Sequence, residues 1–443
     1  MRIQEHPHDL GKLQGQSRGR NGVAVRSPPT FSSIDRFGVL LCFSAVLEQI
    51  PQLSARTAAF CLALVCYLSA AIVEMRVYFK STLSDIFLLG FLGAVILSGF
   101  WAIAGNSVSV ADAARGAIPF LFLSTFFLVD RSHPRLIPKL ASYLGLSAAI
   151  WMVSILVEGL YLFWTGEFVA AARLTSQVYQ SVIPFGLVAL PFLVLGTLRW
   201  SWMAKFGLVL AVFLLTLLAG YRSQMLLMGF QFFVFAGLSI RDRAKFFGIL
   251  FSAAILTFSS IFFFPNLVES LLGRFESTSV EFESSRLAEW RYALERFGEN
   301  PFFGKGIGWQ VPFEVTFDGA LEELLAGGVD LASSAGYLHS VSAYLLMDMG
   351  IVGFILYYAT MIFAIVVGLR KLRSDNGEVE SRMGVICAAV SMVTLLLFFQ
   401  VQASFRLIQS NLLLTCLLLI LLSPYVQGRS AGNAQFEYGQ RHG

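Results

Sequence analysis

Apolar stretches long enough to cross a bilayer, roughly 20 residues each, recur along the chain with short polar breaks between them. They fall at 37–53, 57–74, 84–104, 115–129, 138–163, 178–198, 203–220, 223–240, 246–264, 340–369, 383–400 and 405–423. Repeated apolar runs of that length need lipid as part of their solvent. The expectation is an all-α polytopic membrane protein of about 12 transmembrane helices, nine in residues 36–264 and three in 339–423. Residues 1–35 are polar, rich in Gly, Arg, Gln and Pro, and lack the apolar core of a signal peptide. They are expected to be a disordered cytoplasmic tail, as is the segment 424–443.

Composition sharpens this picture. Of 443 residues, 56% are hydrophobic and 14% charged, against roughly 25% charged in soluble domains; an ordinary soluble enzyme is excluded. The formal net charge of +4 is not a nucleic-acid signature, because in a membrane protein the placement of basic residues carries the information. One set of short loops holds Arg76 and Lys80; Arg131, Arg135 and Lys139; Arg199 and Lys205; Arg241, Arg243 and Lys245; and Arg370, Lys371, Arg373 and Arg382. The opposite short loops hold one arginine each: Arg56, Arg115, Arg173, Arg222 and Arg406. The basic set belongs on the cytoplasmic side, so both termini are expected inside. Five cysteines, Cys42, Cys61, Cys66, Cys387 and Cys416, all lie in apolar stretches without metal-ligand spacing and read as small core hydrophobes.

The exception to the short loops runs from Pro265 to Tyr337 (domain 265–338) and is expected outside the membrane. Connections of that length are uncommon and usually functional. Inside it Leu287, Trp290, Leu294 and Phe297 recur at helical spacing, with Ser284 or Ser285 placed to cap the helix and Gly298 and Pro301 to end it. Gly304, Gly306 and Gly308 follow, giving a backbone able to turn tightly or to approach another group closely.

Four of the five histidines (His6, His8, His133, His442) sit in tails or a basic loop, which leaves His339 alone on the expected outer face, where the long loop re-enters the membrane. An imidazole there suits proton transfer or anion contact, and a histidine at an interfacial helix end fits the position equally well. Arginines kept outside against the positive-inside bias suggest an anionic partner. Arg222, in a tight turn between two spans, is the sharpest case, and Arg173, Arg286, Arg291 and Arg406 would add to the same field. A guanidinium binds phosphate oxygens bidentately and stays charged; the alternative for each is a snorkelling chain or a surface ion pair, such as Arg286 with Glu289 or Glu283. Most carboxylates of the long loop, Glu289 among them, read as solvated surface. Glu48 and Asp348 lie within apolar spans, where a charge is costly enough to imply an internal polar contact. Asp348 follows His339 by nine positions, about half a turn round a helix.

Three features together resemble the bacterial O-antigen ligase and polysaccharide polymerase superfamily. Arg222-Ser-Gln-Met-Leu226 matches an arginine, three-residue, leucine motif; His339 is followed after ten residues by Gly350; and Arg286-Leu-Ala-Glu-Trp290 leads to Asn300-Pro-Phe-Phe-Gly304-Lys-Gly306. Arg173-Leu-Thr is a weaker echo. The resemblance covers residues 36–423. It implies a fold like the C-type integral-membrane glycosyltransferases and an inner-membrane enzyme using an undecaprenyl-diphosphate-linked glycan donor, without metal or other cofactor. An acceptor hydroxyl, on a lipid-linked repeat unit or on lipid A core, would attack the donor sugar on the periplasmic face. It further implies His339 and Arg222 as catalytic residues, with Arg286, Arg291, Arg173 and Arg406 as diphosphate or substrate contacts. Membrane lipids surround such an enzyme, and a flippase and a chain-length regulator would be its partners. The motifs are shared by repeat-unit polymerases and by ligases, with the polymerase reading slightly ahead. A transporter or flippase of twelve spans is the competing class; it is disfavoured because no two six-span halves joined by a long central connection are visible.

Overall fold

A computed structural model describes residues 32–47, 53–73, 77–79, 82–164, 279–312, 338–373, 379–400 and 403–423, with isolated positions between 186 and 231. Regular structure among these residues is helical. In chain order the helices are α1 (Ser33–Leu47), α2 (Leu53–Val73), α3 (Leu83–Asn106), α4 (Val110–Leu121), α5 (Leu136–Trp164), α6 (Ser279–Glu299), α7 (Val341–Arg373), α8 (Val379–Phe398) and α9 (Ile408–Leu422). Apart from those isolated positions, the expected spans 178–198 to 246–264 lie outside the described residues, as does Glu48.

Among the described residues four stretches are long and apolar enough to cross a bilayer: Leu83–Asn106, Val110–Leu128, Val341–Arg373 and Ser381–Phe398. The chain is an integral membrane protein. In α3 Leu89, Ile96, Leu97 and Phe100 stay exposed while Leu88, Phe91, Leu92 and Val95 are buried, so one apolar face packs and the other remains for lipid. By contrast α9 is buried almost throughout and sits in the middle of the bundle, packed against α8, α7 and the 3-10 segment Phe122–Leu128. α1 lies along α5, and α3 along α7.

Two boundaries differ from the sequence expectation for local reasons. Ser109 caps α4, its hydroxyl accepting from the Asp112 N–H, so the helix starts at Val110 rather than 115 and Arg115 lies inside it, exposed and paired with Asp112. Pro119 cannot donate within α4, and the chain tightens into a 3-10 helix from Phe122. The cysteines are all free; Cys387 and Cys416 are core residues as expected, whereas Cys66 is exposed.

Near the start of α3 a charged pair is sealed inside the protein. Arg131 donates from both terminal nitrogens to Asp85, at 2.7 Å each, and also to the Tyr78 carbonyl. Its guanidinium stands 4.5 Å from the Phe126 ring centroid. Arg131, one of the charges assigned to a cytoplasmic loop, is therefore a buried structural contact.

Candidate functional site

At the other half of α3 a glycine-rich turn ties the loop helix α6 to α7. Directly after α6, Gly304 donates to the Asn300 carbonyl, Lys305 to the Met347 carbonyl and Gly306 to the Asp348 carbonyl. The turn then reaches α3: the Ser98 hydroxyl donates to the Asp348 carbonyl and accepts from the Ile307 N–H, and the Asn106 amide donates to the Lys305 carbonyl. Gly306 has φ +95°, and a Cβ there would lie 2.5 Å from the Ala102 backbone. Only glycine supplies that conformation without strain and clears that contact.

Gly350 completes the joint. The sequence reads 340–369 as one uninterrupted span, yet Gly350 has φ +64° and ψ −164° and breaks α7. The break leaves N–H groups that no longer bond within the helix, and the turn satisfies them: Ile351 donates to the Pro301 carbonyl and Val352 to the Phe302 carbonyl. The Asn-Pro-Phe-Phe-Gly-Lys-Gly run and the glycine ten residues past His339, separate motifs in the sequence, are thus two halves of one contact.

The contact positions His339, which precedes α7. The backbone N–H of His339 donates to Glu289 Oε2 at 2.9 Å, and ring atom Nδ1 lies 2.7 Å from Glu289 Oε1. Glu289 is 1% exposed, whereas the His339 side chain keeps 17% of its surface open. The direction of the bond between Nδ1 and Glu289 Oε1 follows from the tautomer of the ring. The residues beyond His339 are also held: Gln400 accepts from the Ser340 and Ser342 hydroxyls and donates to the Tyr358 hydroxyl. The Val341 N–H donates to the Phe399 carbonyl.

Two readings of the loop helix are corrected by this docking. α6 begins at Ser279, so Ser284 and Ser285 are interior rather than caps. Its buried face carries Glu289 and Ala293, while Leu287 and Leu294 are 58% and 51% exposed. Close approach at a small residue and two hydrogen bonds to a carboxylate decide the face here, not apolar periodicity. Glu289 is the site residue that sequence reasoning missed, having been grouped with solvated acids; its place three positions after Arg286 was the one available hint.

Of the other candidates, Arg291 is exposed on α6. Arg406 ends the short 3-10 turn Ala403–Arg406, with its guanidinium 5.7 Å from the centroid of Tyr344. Tyr344 stacks with Phe120 and leans on Phe405. Asp348 is fully buried one turn on, and neither of its carboxyl oxygens makes a standard hydrogen bond. The Tyr344 hydroxyl, the Arg406 charge and the Gly308 amide act on it. Arg286 lies in the backbone of α6, three positions before Glu289. Arg173 and Arg222 lie outside the described residues. Among the described residues no three His, Cys, Asp or Glu side chains form a metal-ligand group.

Lys305 and Arg296 brace the turn from the loop side. Both pair with Glu299, and Lys305 stands 5.7 Å over the Trp309 ring, whose N–H donates to the Tyr292 hydroxyl. The Lys305 ammonium, and after it the Arg296 guanidinium, hold the Glu299 carboxyl below the usual carboxylate range.

An all-helical integral membrane protein with a polar site built where a long loop meets a broken helix is the class that fold and geometry define. Residues 170–358 match the family model described as O-antigen ligase. The matched segment includes Arg173, Arg222, Arg286, Glu289, Arg291, His339 and Gly350; Arg406 falls beyond it. No curated protein matches the chain.

Proposed function

We propose that this protein is an inner-membrane glycosyltransferase that moves glycan from an undecaprenyl-diphosphate-linked donor to an acceptor sugar hydroxyl on the periplasmic face. The observation that carries the reading is the partly exposed imidazole of His339 beside a buried carboxylate, inside the segment matching the O-antigen ligase family. The orientation, with both termini cytoplasmic and residues 265–338 periplasmic, rests on the distribution of Lys and Arg.

In this reaction the acceptor oxygen attacks the anomeric carbon, its proton passes to His339, and the lipid diphosphate departs with the electron pair of the broken bond. Negative charge grows on the leaving group. Arg222, with Arg286 and Arg173 or Arg291, would meet that charge with guanidinium donors, an electrostatic contribution of the kind that dominates many transferase sites. Arg406 would act from the Tyr344 side of α7. Positive charge on the protein does the work that a divalent ion does elsewhere, and no cofactor is invoked.

We favour a repeat-unit polymerase, for which the acceptor is a second lipid-linked unit and a flippase and chain-length regulator are partners. The ligase reading, with lipid A core as acceptor, is supported by the description of the matching family. Deleting the gene and separating the glycans distinguishes them. Single repeat units without polymer indicate a polymerase, whereas polymer that accumulates on the lipid carrier without reaching lipid A core indicates a ligase. An unchanged glycan profile would contradict both.

A further inference from the structure

We infer that Glu289 is a positioning residue that fixes His339 in the tautomer with its proton on Nδ1, leaving Nε2 as the one basic ring atom. The inference rests on the reading of His339 as the proton acceptor in glycan transfer. Its geometric half stands independently, on two hydrogen bonds from one buried carboxylate.

Those two bonds fix different things. Glu289 Oε2 accepts from the His339 backbone N–H at 2.9 Å and anchors the main chain, so the carboxylate cannot rotate away. Glu289 Oε1, 2.7 Å from Nδ1, then demands a proton on that nitrogen. When the acceptor hydroxyl gives its proton to Nε2, the ring becomes a cation and Glu289 lies against its other edge. The carboxylate stabilises that charge, the role an acidic residue plays toward histidine in hydrolytic triads. The proton later leaves to water through the exposed edge of the ring, 17% of the His339 side chain remaining open.

The same geometry makes Glu289→Gln an informative variant. The amide oxygen must stay on the His339 N–H, because the alternative sets two donors face to face. The amide NH2 then meets Nδ1 and turns it into an acceptor, which puts the ring proton on Nε2. Shape and packing are kept while the basic atom is switched.

Full-length protein in lipid nanodiscs, with 13C,15N-labelled histidine, allows the tautomer to be read directly by NMR in mildly alkaline buffer, where a free imidazole is neutral. His339→Gln identifies the His339 signals. His133, whose Nδ1 accepts from the Arg135 N–H at 3.1 Å, provides an internal reference for the opposite tautomer. Transfer is measured on the undecaprenyl-diphosphate-linked glycan pool extracted from cells lacking the gene.

The expected result is a proton on Nδ1 of His339 in the wild type and on Nε2 in Glu289→Gln. With it kcat falls about 10²–10⁴-fold and KM changes little. A wild-type spectrum with the proton on Nε2 overturns the inference, and needs no variant to fold. An Nδ1 proton that persists in a folded Glu289→Gln also overturns it. If the tautomer switches but kcat is unchanged, Glu289 positions the ring as inferred and the reading of His339 as the base fails.

Discussion

Two buried carboxylates, Asp85 at the start of α3 and Glu289 on α6, do the same local job with different outcomes. Asp85 and Glu289 are each at most 1% exposed, and each uses both oxygens on one neighbour, Arg131 and His339 respectively. Around Arg131 the protein closes completely, with the Phe126 ring over the guanidinium and the Tyr78 carbonyl on its free edge. Around His339 one side of the ring is left open. Sealing converts such a pair into a structural fastener, since no solvent or substrate can compete for it. Leaving part of the His339 side chain open keeps that pair in reach of solvent.

Breaking each pair separately sharpens the contrast. Asp85→Ala leaves the Arg131 charge buried without its carboxylate, for which a loss of about 3–5 kcal/mol is expected. The unfolding midpoint in detergent should fall steeply, and glycan transfer should fall only as far as folded protein does. His339→Ala should do the reverse: little change in midpoint and a loss of about 10²–10⁴-fold in transfer. Equal behaviour of the two variants would erase the distinction.

The joint between these regions predicts an intermediate effect. Gly306→Ala must place a Cβ 2.5 Å from the Ala102 backbone at φ +95°. The conformation alone costs of order 1–3 kcal/mol, so both the midpoint and transfer should drop. A variant that lost neither would show that the turn does not set the position of α6 against α7. Gln400→Ala removes the partner of Ser340, Ser342 and Tyr358. At roughly 0.5–1.5 kcal/mol per bond, a modest loss of stability and a partial loss of transfer should result, read in the same two assays.

The smallest effect belongs to Glu299, whose pairs with Lys305 and Arg296 are exposed and screened by solvent. Because its carboxyl is held below the ordinary range, the pair contributes fully above the unfolded carboxylate pKa and weakens as pH falls through the lower, folded value. Glu299→Gln should therefore leave transfer near neutral pH within about two-fold. Any difference in stability from the wild type should shrink in acid, and a larger neutral effect would mean that the turn depends on this latch.

The membrane class and the described helices were legible in the sequence because hydropathy over twenty residues does not depend on what a helix packs against. His339 stands out in the sequence for a similar reason, as the one imidazole outside the tails and the basic loop. Glu289 was not: it is one acid among a dozen in the loop, and its burial depends on where α6 docks. Periodicity misjudged that docking, selecting Leu287 and Leu294 over Glu289 and Ala293. Arg131 counted correctly as a basic residue in a short loop, but a charge count carries no information about pairing with Asp85. Gly350 was noted for its spacing from His339, while its part in breaking α7 emerged only when Pro301 and Phe302 were seen to take up the freed N–H groups.

The most direct test of the central claim is the rate of glycan transfer by purified wild type and by His339→Ala, compared at equal amounts of folded protein on the same lipid-linked donor. The account predicts a loss of at least about 100-fold with the unfolding midpoint retained. Transfer that survives within a few-fold in a folded His339→Ala protein would contradict it.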